Sequence, residues 1–136
     1  MPADYTIDAM RRLVVSRGTG IFTYDDYIKQ MTALGKEPLF QPNFNHLVDC
    51  RAITLMNLTA SEIKDLATRS LFGANSKRAF AVSNSIQFGL SRMFATYREL
   101  HGGQKIMVFS ELKEALLWLG LPEDFDPYAK EDFIRQ

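Results

Sequence analysis

The stretch NHLVDCRAITLMNLTASEIKDL, residues 45–66, constrains the fold of this chain more than any other, because it reads as a buried strand, a turn and a capped helix in succession. His46 to Asp49 is a short apolar run ending in an acid, the pattern of a central parallel strand covered on both faces. Thr59 then opens a helix. Glu62, three residues on, completes a capping box: the threonine oxygen accepts an orphan amide of the first turn, and the glutamate reaches back to the threonine's own amide. Leu58 and Ile63 fit the hydrophobic staple that sets the angle of entry.

A buried strand needs neighbours, and the flanking sequence supplies them. Tyr5–Ile7 and Leu13–Ser16 read as a hairpin connected through Asp8, Ala9 and Met10, with Gly18 and Gly20 ending its second strand. Thr23 with Asp26 caps a first helix whose stripe is Tyr24, Tyr27, Ile28, Met31 and Leu34, and Gly35 is placed to end it in a left-handed conformation. Pro38 and Pro42 make the next segment a loop. The second helix runs from Thr59 to about Leu71. Arg78–Val82 and Ile106–Phe109 are further strands. Ser83, Asn84 or Ser85 caps a third helix bearing Ile86, Leu90, Met93, Phe94 and Tyr97, and Ser110 caps a fourth bearing Leu112, Ala115, Leu116 and Leu119.

The order ββαβαβαβα predicts one α/β domain over residues 1–120, a mostly parallel mixed sheet of about five strands with about four helices, the first strand antiparallel at or near an edge. Residues 121–136 are an acidic C-terminal extension, with Phe125, Tyr128 and Phe133 as its only anchors and loose docking expected.

Composition narrows the function classes. A chain of 136 residues holds one core and not two domains. Sixteen basic residues balance sixteen acidic ones, so no positive field gathers nucleic acid. Cys50 is the single cysteine, which leaves no internal disulfide and no cysteine pair for zinc. No leader pattern is present and no apolar run nears the ~20 residues of a membrane span, so a soluble cytoplasmic protein is expected. No metal cluster, catalytic triad or Gly-rich phosphate loop can be assembled, and the expectation is a protein that is not an enzyme and carries no cofactor.

Several residues stand out against plain structural readings. Asp49 and Arg51 sit where a parallel strand leaves the sheet, the edge at which ligands of open α/β folds collect, although a local ion pair is the simpler account and the one preferred. Thr59, Ser61, Ser83, Asn84, Ser85 and Ser110 all open helices after parallel strands, so their amides should converge on one edge and favour an anion; capping alone is the simpler account. Cys50 reads as a buried thiol. Phe88, Arg92 and Arg98 on the third helix read as core and surface. Ten Phe and six Met suffice for a core, or for a greasy pocket between helices, which for a bound ligand should reach at least about 300 Å³.

The element order together with VDCRAITLMNLTASEI resembles the STAS domain family, best known from the SpoIIAA anti-sigma factor antagonist. In that family a strand ending in Asn or Asp leads through a short apolar loop to an Asp-Ser-Ser/Thr-Gly turn that starts a helix. Asn57, Leu58, Thr59 and Ala60 stand at those four positions, so Asn, Leu and Ala replace Asp, the first Ser and Gly. The segments FGLSRMFATY and VFSELKEALLWL resemble the SpoIIAA-like (STAS/SEC14-type) family of small uncharacterised bacterial proteins, and the likeness spans roughly residues 4–120. It implies a non-enzymatic regulatory module of anti-sigma-antagonist type with a protein partner, such as a kinase or an anti-sigma-like regulator, and Thr59 as phospho-acceptor. Asp49, Arg51, Asn57, Leu58, Ser61, Ser83 and Asn84 are then the candidate partner or ligand surface. The alternative is the binding or sensing of a small apolar or anionic ligand. Zero net charge and unassigned aromatics further suggest a two-fold homodimer.

Overall fold

The computed structural model describes residues 3–129 and the backbone of residues 134–135. The elements follow the expected order: β1 (Ala3–Asp8), β2 (Leu13–Thr23), α1 (Tyr24–Gly35), β3 (Asn45–Asn57), α2 (Ala60–Thr68), β4 (Lys77–Ala81), α3 (Ser85–Leu100), β5 (Lys105–Phe109) and α4 (Leu112–Trp118). A two-residue β6 (Ile134–Arg135) joins these five strands, giving the sheet order β5-β4-β3-β2-β1-β6. β2 to β5 are mutually parallel, and β1 is antiparallel to both of its neighbours.

Because β2 to β5 advance in one direction across the sheet, right-handed crossovers lay α1, α2 and α3 on the same face. The packing agrees. On that face Cys50, Ile53, Phe80 and Ile106 meet Ile63 and Leu66 of α2 and Phe94 of α3, while Leu34 of α1 packs with Tyr5, Ile7 and Val14. α4 covers the opposite face, where Leu13, Val15, Leu47 and Ala79 meet Ala115, Leu116 and Leu119. Phe125 is buried in this second cluster, and β6 pairs with Thr6 and Ile7 of β1. The described part of the C-terminal extension, residues 121–129 and 134–135, is therefore tied to the domain and not loosely docked; Phe133 lies outside the described residues.

β2 and β3 run further than the sequence suggests. The glycines at 18 and 20 do not end β2, which continues to Thr23, and β3 continues past Asp49 to Asn57. Along their paired length 11 residues of β2 face 13 of β3, and two register shifts, at Arg17/Thr19 and Gly20/Ile21, absorb the two extra residues as bulges. Each bulge inverts the inward alternation. His46, Val48 and Cys50 face α1–α3, and after them the inward positions are Ile53 and Met56. Inward residues spaced by three have no strand period, so this stretch reads as a loop in the sequence. Gly18 stays inside β2, where a Cβ would lie 2.6 Å from Ile53 Cδ1, so only glycine leaves room for that isoleucine. Gly20, with φ of 62°, occupies the left-handed conformation at the second bulge.

Both capping boxes form, Thr23 with Asp26 and Thr59 with Glu62, and Asn84 is the residue that caps α3. Three local expectations are corrected. Gly35 is the last residue of α1 without a left-handed φ; the helix stops because Lys36 and Glu37 return their amides to Ala33 and Leu34 and Pro38 follows. α2 ends at Thr68, three residues short of Leu71, because Arg69 is extended and Ser70 closes a turn on Phe72. Ser110 does not cap α4, whose N-cap is Glu111 with no side-chain bond.

Candidate functional site

Between the sheet and α1–α3 lies a cavity of about 60 Å³. Its floor is Ser16, His46, Val48, Arg78 and Phe80. Tyr27 and Met31 come from α1, Ile63 and Leu66 from α2, and Leu90, Ser91 and Phe94 from α3, while Phe22, Ile53 and Met56 close the end built by the bulged strands. The volume is far below the 300 Å³ expected for a bound ligand, so a pocket of that size is not formed, because aromatic side chains interlock across the layer: Phe94 lies 6.1 Å from Tyr27 and 5.8 Å from Phe80 between ring centroids. A separate open groove of about 280 Å³ runs between α1 and residues 69–71. Tyr27 and Met31 line both spaces, so these two side chains are the wall between groove and cavity.

The apolar space is polar where β3 meets β4. His46 and Arg78 are direct partners across the two strands, and each is 1% exposed. His46 Nε2 lies 2.6 Å from Ser16 Oγ, the ring stacks on Phe72 at 4.6 Å, and Nδ1 has no partner. Burial, and then the charge of Arg78, hold the imidazole well below its ordinary pKa, so it is neutral at pH 7. Arg78 Nη1 donates to Tyr27 Oη at 3.3 Å, its guanidinium lies 5.1 and 5.2 Å from the Phe72 and Phe94 rings, and Nε has no partner. Ser91 Oγ is likewise buried and unpartnered.

No carboxylate among the described residues pairs with Arg78. Another buried cation lies within reach of its charge. Arg98, also buried, donates Nη1 to the Ala67 carbonyl at 2.6 Å, and burial followed by the charge of Arg78 lowers its pKa. Burying an unpaired ion costs several kcal/mol, and a desolvated ring contact offsets about 2 kcal/mol. The rings soften the cost without supplying a counter-charge.

The residues singled out in the sequence fall in three places instead of converging on one edge. Asp49 is buried on the α4 face, where Arg51 Nε and Nη2 grip its two oxygens at 2.9 and 3.0 Å and Tyr128 donates a further bond, so the local ion pair is what forms. Ser83 and Asn84 stand at the end of β4: Asn84 Oδ1 accepts from the Gln87 amide at 2.9 Å, and Ser83 donates to Gln87 Oε1 through its amide at 3.0 Å. Asn57, Leu58, Thr59 and Ser61 lie at the far end of β3, Asn57 being eight residues beyond Asp49, the last partner of β4. Because β3 outruns β4, the start of α2 and the start of α3 do not share an edge. Asn57, Thr59 and Ser61 are exposed and Leu58 half-buried. Cys50 is buried, its thiol pushed up to about 12 by burial and then by Asp49, which makes it a poor nucleophile at neutral pH.

Ser16, His46, Arg78 and Ser91 were not selected from the sequence. One signal was available: KRAFA is a strand covered on both faces, and its alternation sets Arg78 on the same side as Phe80, opposite the small Ala79 and Ala81. Among the described residues no group of three or more His, Cys, Asp or Glu is placed to hold a metal ion, and no helix is long and apolar enough to cross a membrane.

No protein-family profile matches the chain, and no curated protein matches it. Among solved structures it is similar to an uncharacterized protein of the DUF3478 family with a SpoIIAA-like fold from Shewanella loihica PV-4, at 18% sequence identity over 79% of this chain and 83% of that one, with a TM-score of 0.52. At that identity the likeness is one of architecture, and it joins the strand order and the layering already described. The chain has a SpoIIAA-like α/β fold.

Proposed function

We propose that this chain is a non-enzymatic regulatory module of STAS type that takes up a small, largely apolar ligand between its sheet and α1–α3. The observation that carries the reading is this internal space, which a ligand enlarges by displacing a side chain of its wall. Protein interiors pack as densely as organic crystals, yet about 60 Å³ stays open where three helices meet the sheet, behind a wall of two side chains. One of them is Met31, whose unbranched thioether repacks at low cost.

α2 supplies the response. Its inner residues Ile63 and Leu66 line the cavity, while its first turn presents the exposed Thr59, so filling the cavity displaces the surface formed by Asn57, Leu58, Thr59 and Ser61. In this reading that surface contacts the protein partner, a kinase or an anti-sigma-like regulator, and Thr59 is the residue that accepts phosphate. What supports the partner half is the exposure of Thr59 and its place in the helix-opening turn. A cytoplasmic homodimer belongs to the same proposal.

Methyl-resolved NMR during titration with hexanol tests the ligand half. Saturable shifts of the Ile53, Ile63 and Leu66 methyls are expected, with the exposed Ile21 and Leu55 methyls unmoved. Cavity methyls that stay still up to the solubility limit would show that the space is only a packing defect.

A further inference from the structure

Resting on the ligand-binding reading, we infer that the occupant of the cavity is a compact apolar monocarboxylate, its carboxylate seated against Arg78 with Ser91 Oγ and His46 Nδ1 as additional donors. Three buried polar atoms without partners, Arg78 Nε, Ser91 Oγ and His46 Nδ1, belong to residues that line this one space. Their positions bring them together: His46 and Arg78 are cross-strand partners, and Ser91 lies one turn before Phe94, whose ring is 5.2 Å from the Arg78 guanidinium. Orphan donors so deep in a core are rare.

The charge sets the head group. Arg78 brings one positive charge that no carboxylate among the described residues meets, and His46 is neutral, so a single negative charge completes the site. Nη1 is already given to Tyr27, which leaves the Nε side of the fork, and a carboxylate spans such an edge with two parallel bonds. Ser16 Oγ, 2.6 Å from His46 Nε2, donates there when Nδ1 carries the ring proton, and Nδ1–H then faces the ligand as a donor. A doubly charged phosphate would exceed the single cation and crowd the apolar walls.

The volume sets the tail. At roughly 10–15 Å³ for each water-sized group, about four to six groups fit in the cavity. Displacement of Met31 toward the groove, with Tyr27 kept on Arg78, extends it further. A short or branched chain, or one aromatic ring, meets that limit; a long fatty acid does not.

The test is calorimetric titration of the whole protein with hexanoate and benzoate, against hexanol, benzyl alcohol and inorganic phosphate. Each acid is expected to bind at least tenfold tighter than its alcohol, and phosphate not at all. Arg78→Met should erase the preference for the acid while leaving the alcohol's affinity within threefold. Acid and alcohol binding equally to the parent protein would overturn the carboxylate assignment and leave the apolar-ligand reading standing, whereas no binding of either would overturn both. Phosphate binding as tightly as hexanoate would overturn the apolar part of the assignment. Should Arg78→Met fail to fold, Ser91→Ala replaces it: a severalfold loss for the acids alone is expected, and an unchanged acid affinity would overturn the inference.

Discussion

Tyr128 and Asp49, 79 residues apart in the chain, meet on the α4 face of the sheet, the phenol donating to the carboxylate that Arg51 also holds, with Arg17 Cζ 5.3 Å from the phenol ring. Burial pushes the Asp49 carboxyl up, but the bonds from Arg51 and Tyr128 and the Arg51 charge outweigh it and leave the pKa below the ordinary range. A depressed carboxyl stabilises fully above its unfolded value, about pH 4, and the contribution fades as pH falls from there through the folded value. Tyr128→Phe should cost about 1.5–3 kcal/mol at pH 7, as expected for a bond to a charged group. The cost should shrink at pH 3, and urea unfolding at the two pH values checks both.

His46 gives the opposite end of the titration range. Its folded pKa lies well below that of an unfolded histidine, about 6.5, so the unfolded chain takes the proton first. The stability is whole above about pH 6.5 and falls on acidification, by at most about 1.4 kcal/mol per pH unit. His46→Gln should flatten the stability profile between pH 6.5 and 5, and a slope equal to that of the parent would mean the imidazole is not neutral in the fold.

Gly18→Ala places a methyl 2.6 Å from Ile53 Cδ1 and 2.8 Å from its Cγ1, so the isoleucine, which lines the cavity, must shift to admit it. Overpacking of this kind costs about 1–3 kcal/mol. Combined with Ile53→Ala the alanine should be accommodated, so the double variant is expected to be more stable than the sum of the two single losses predicts, measured as a double-mutant cycle.

Thr59→Ala should cost about 1 kcal/mol, and Thr59→Asp should stay close to the parent, because aspartate accepts the same first-turn amides and its charge suits a helix start. Stability therefore does not report the phospho-switch. Partner capture from host lysate does: Thr59→Asp should lose a partner that Thr59→Ser keeps, and identical capture by both would reduce Thr59 to a cap.

What the sequence discloses here is what is local. Thr59 with Glu62 and Thr23 with Asp26 are complete within four residues, so both helix starts are legible, and the alternation of strands with helices carries the SpoIIAA-like layering. The bulges in β3 are not legible, because each depends on what β2 does 33 or 34 positions away (Thr19 with Ala52, Ile21 with Leu55). The cavity's polar end is hidden for a similar reason. Arg78 looks like the flank of a strand until β3 sets His46 beside it and α3 closes over both. Tyr128 reads as part of an acidic tail until Asp49 is found beneath it.

β3 beyond Asp49 has a strand on one side only, since β4 ends there; on the open side the Ile53 carbonyl is taken by Gln87 Nε2 at 3.0 Å. A two-stranded ribbon holds poorly in water without further support. Amide exchange should therefore run faster in residues 52–57 than in residues 46–49, which are clamped between two strands. Phe22, Ile53 and Met56 hang from this ribbon, so faster exchange there would mean that the interior opens along a strand, at the end of the sheet where the extra residues of β3 were inserted.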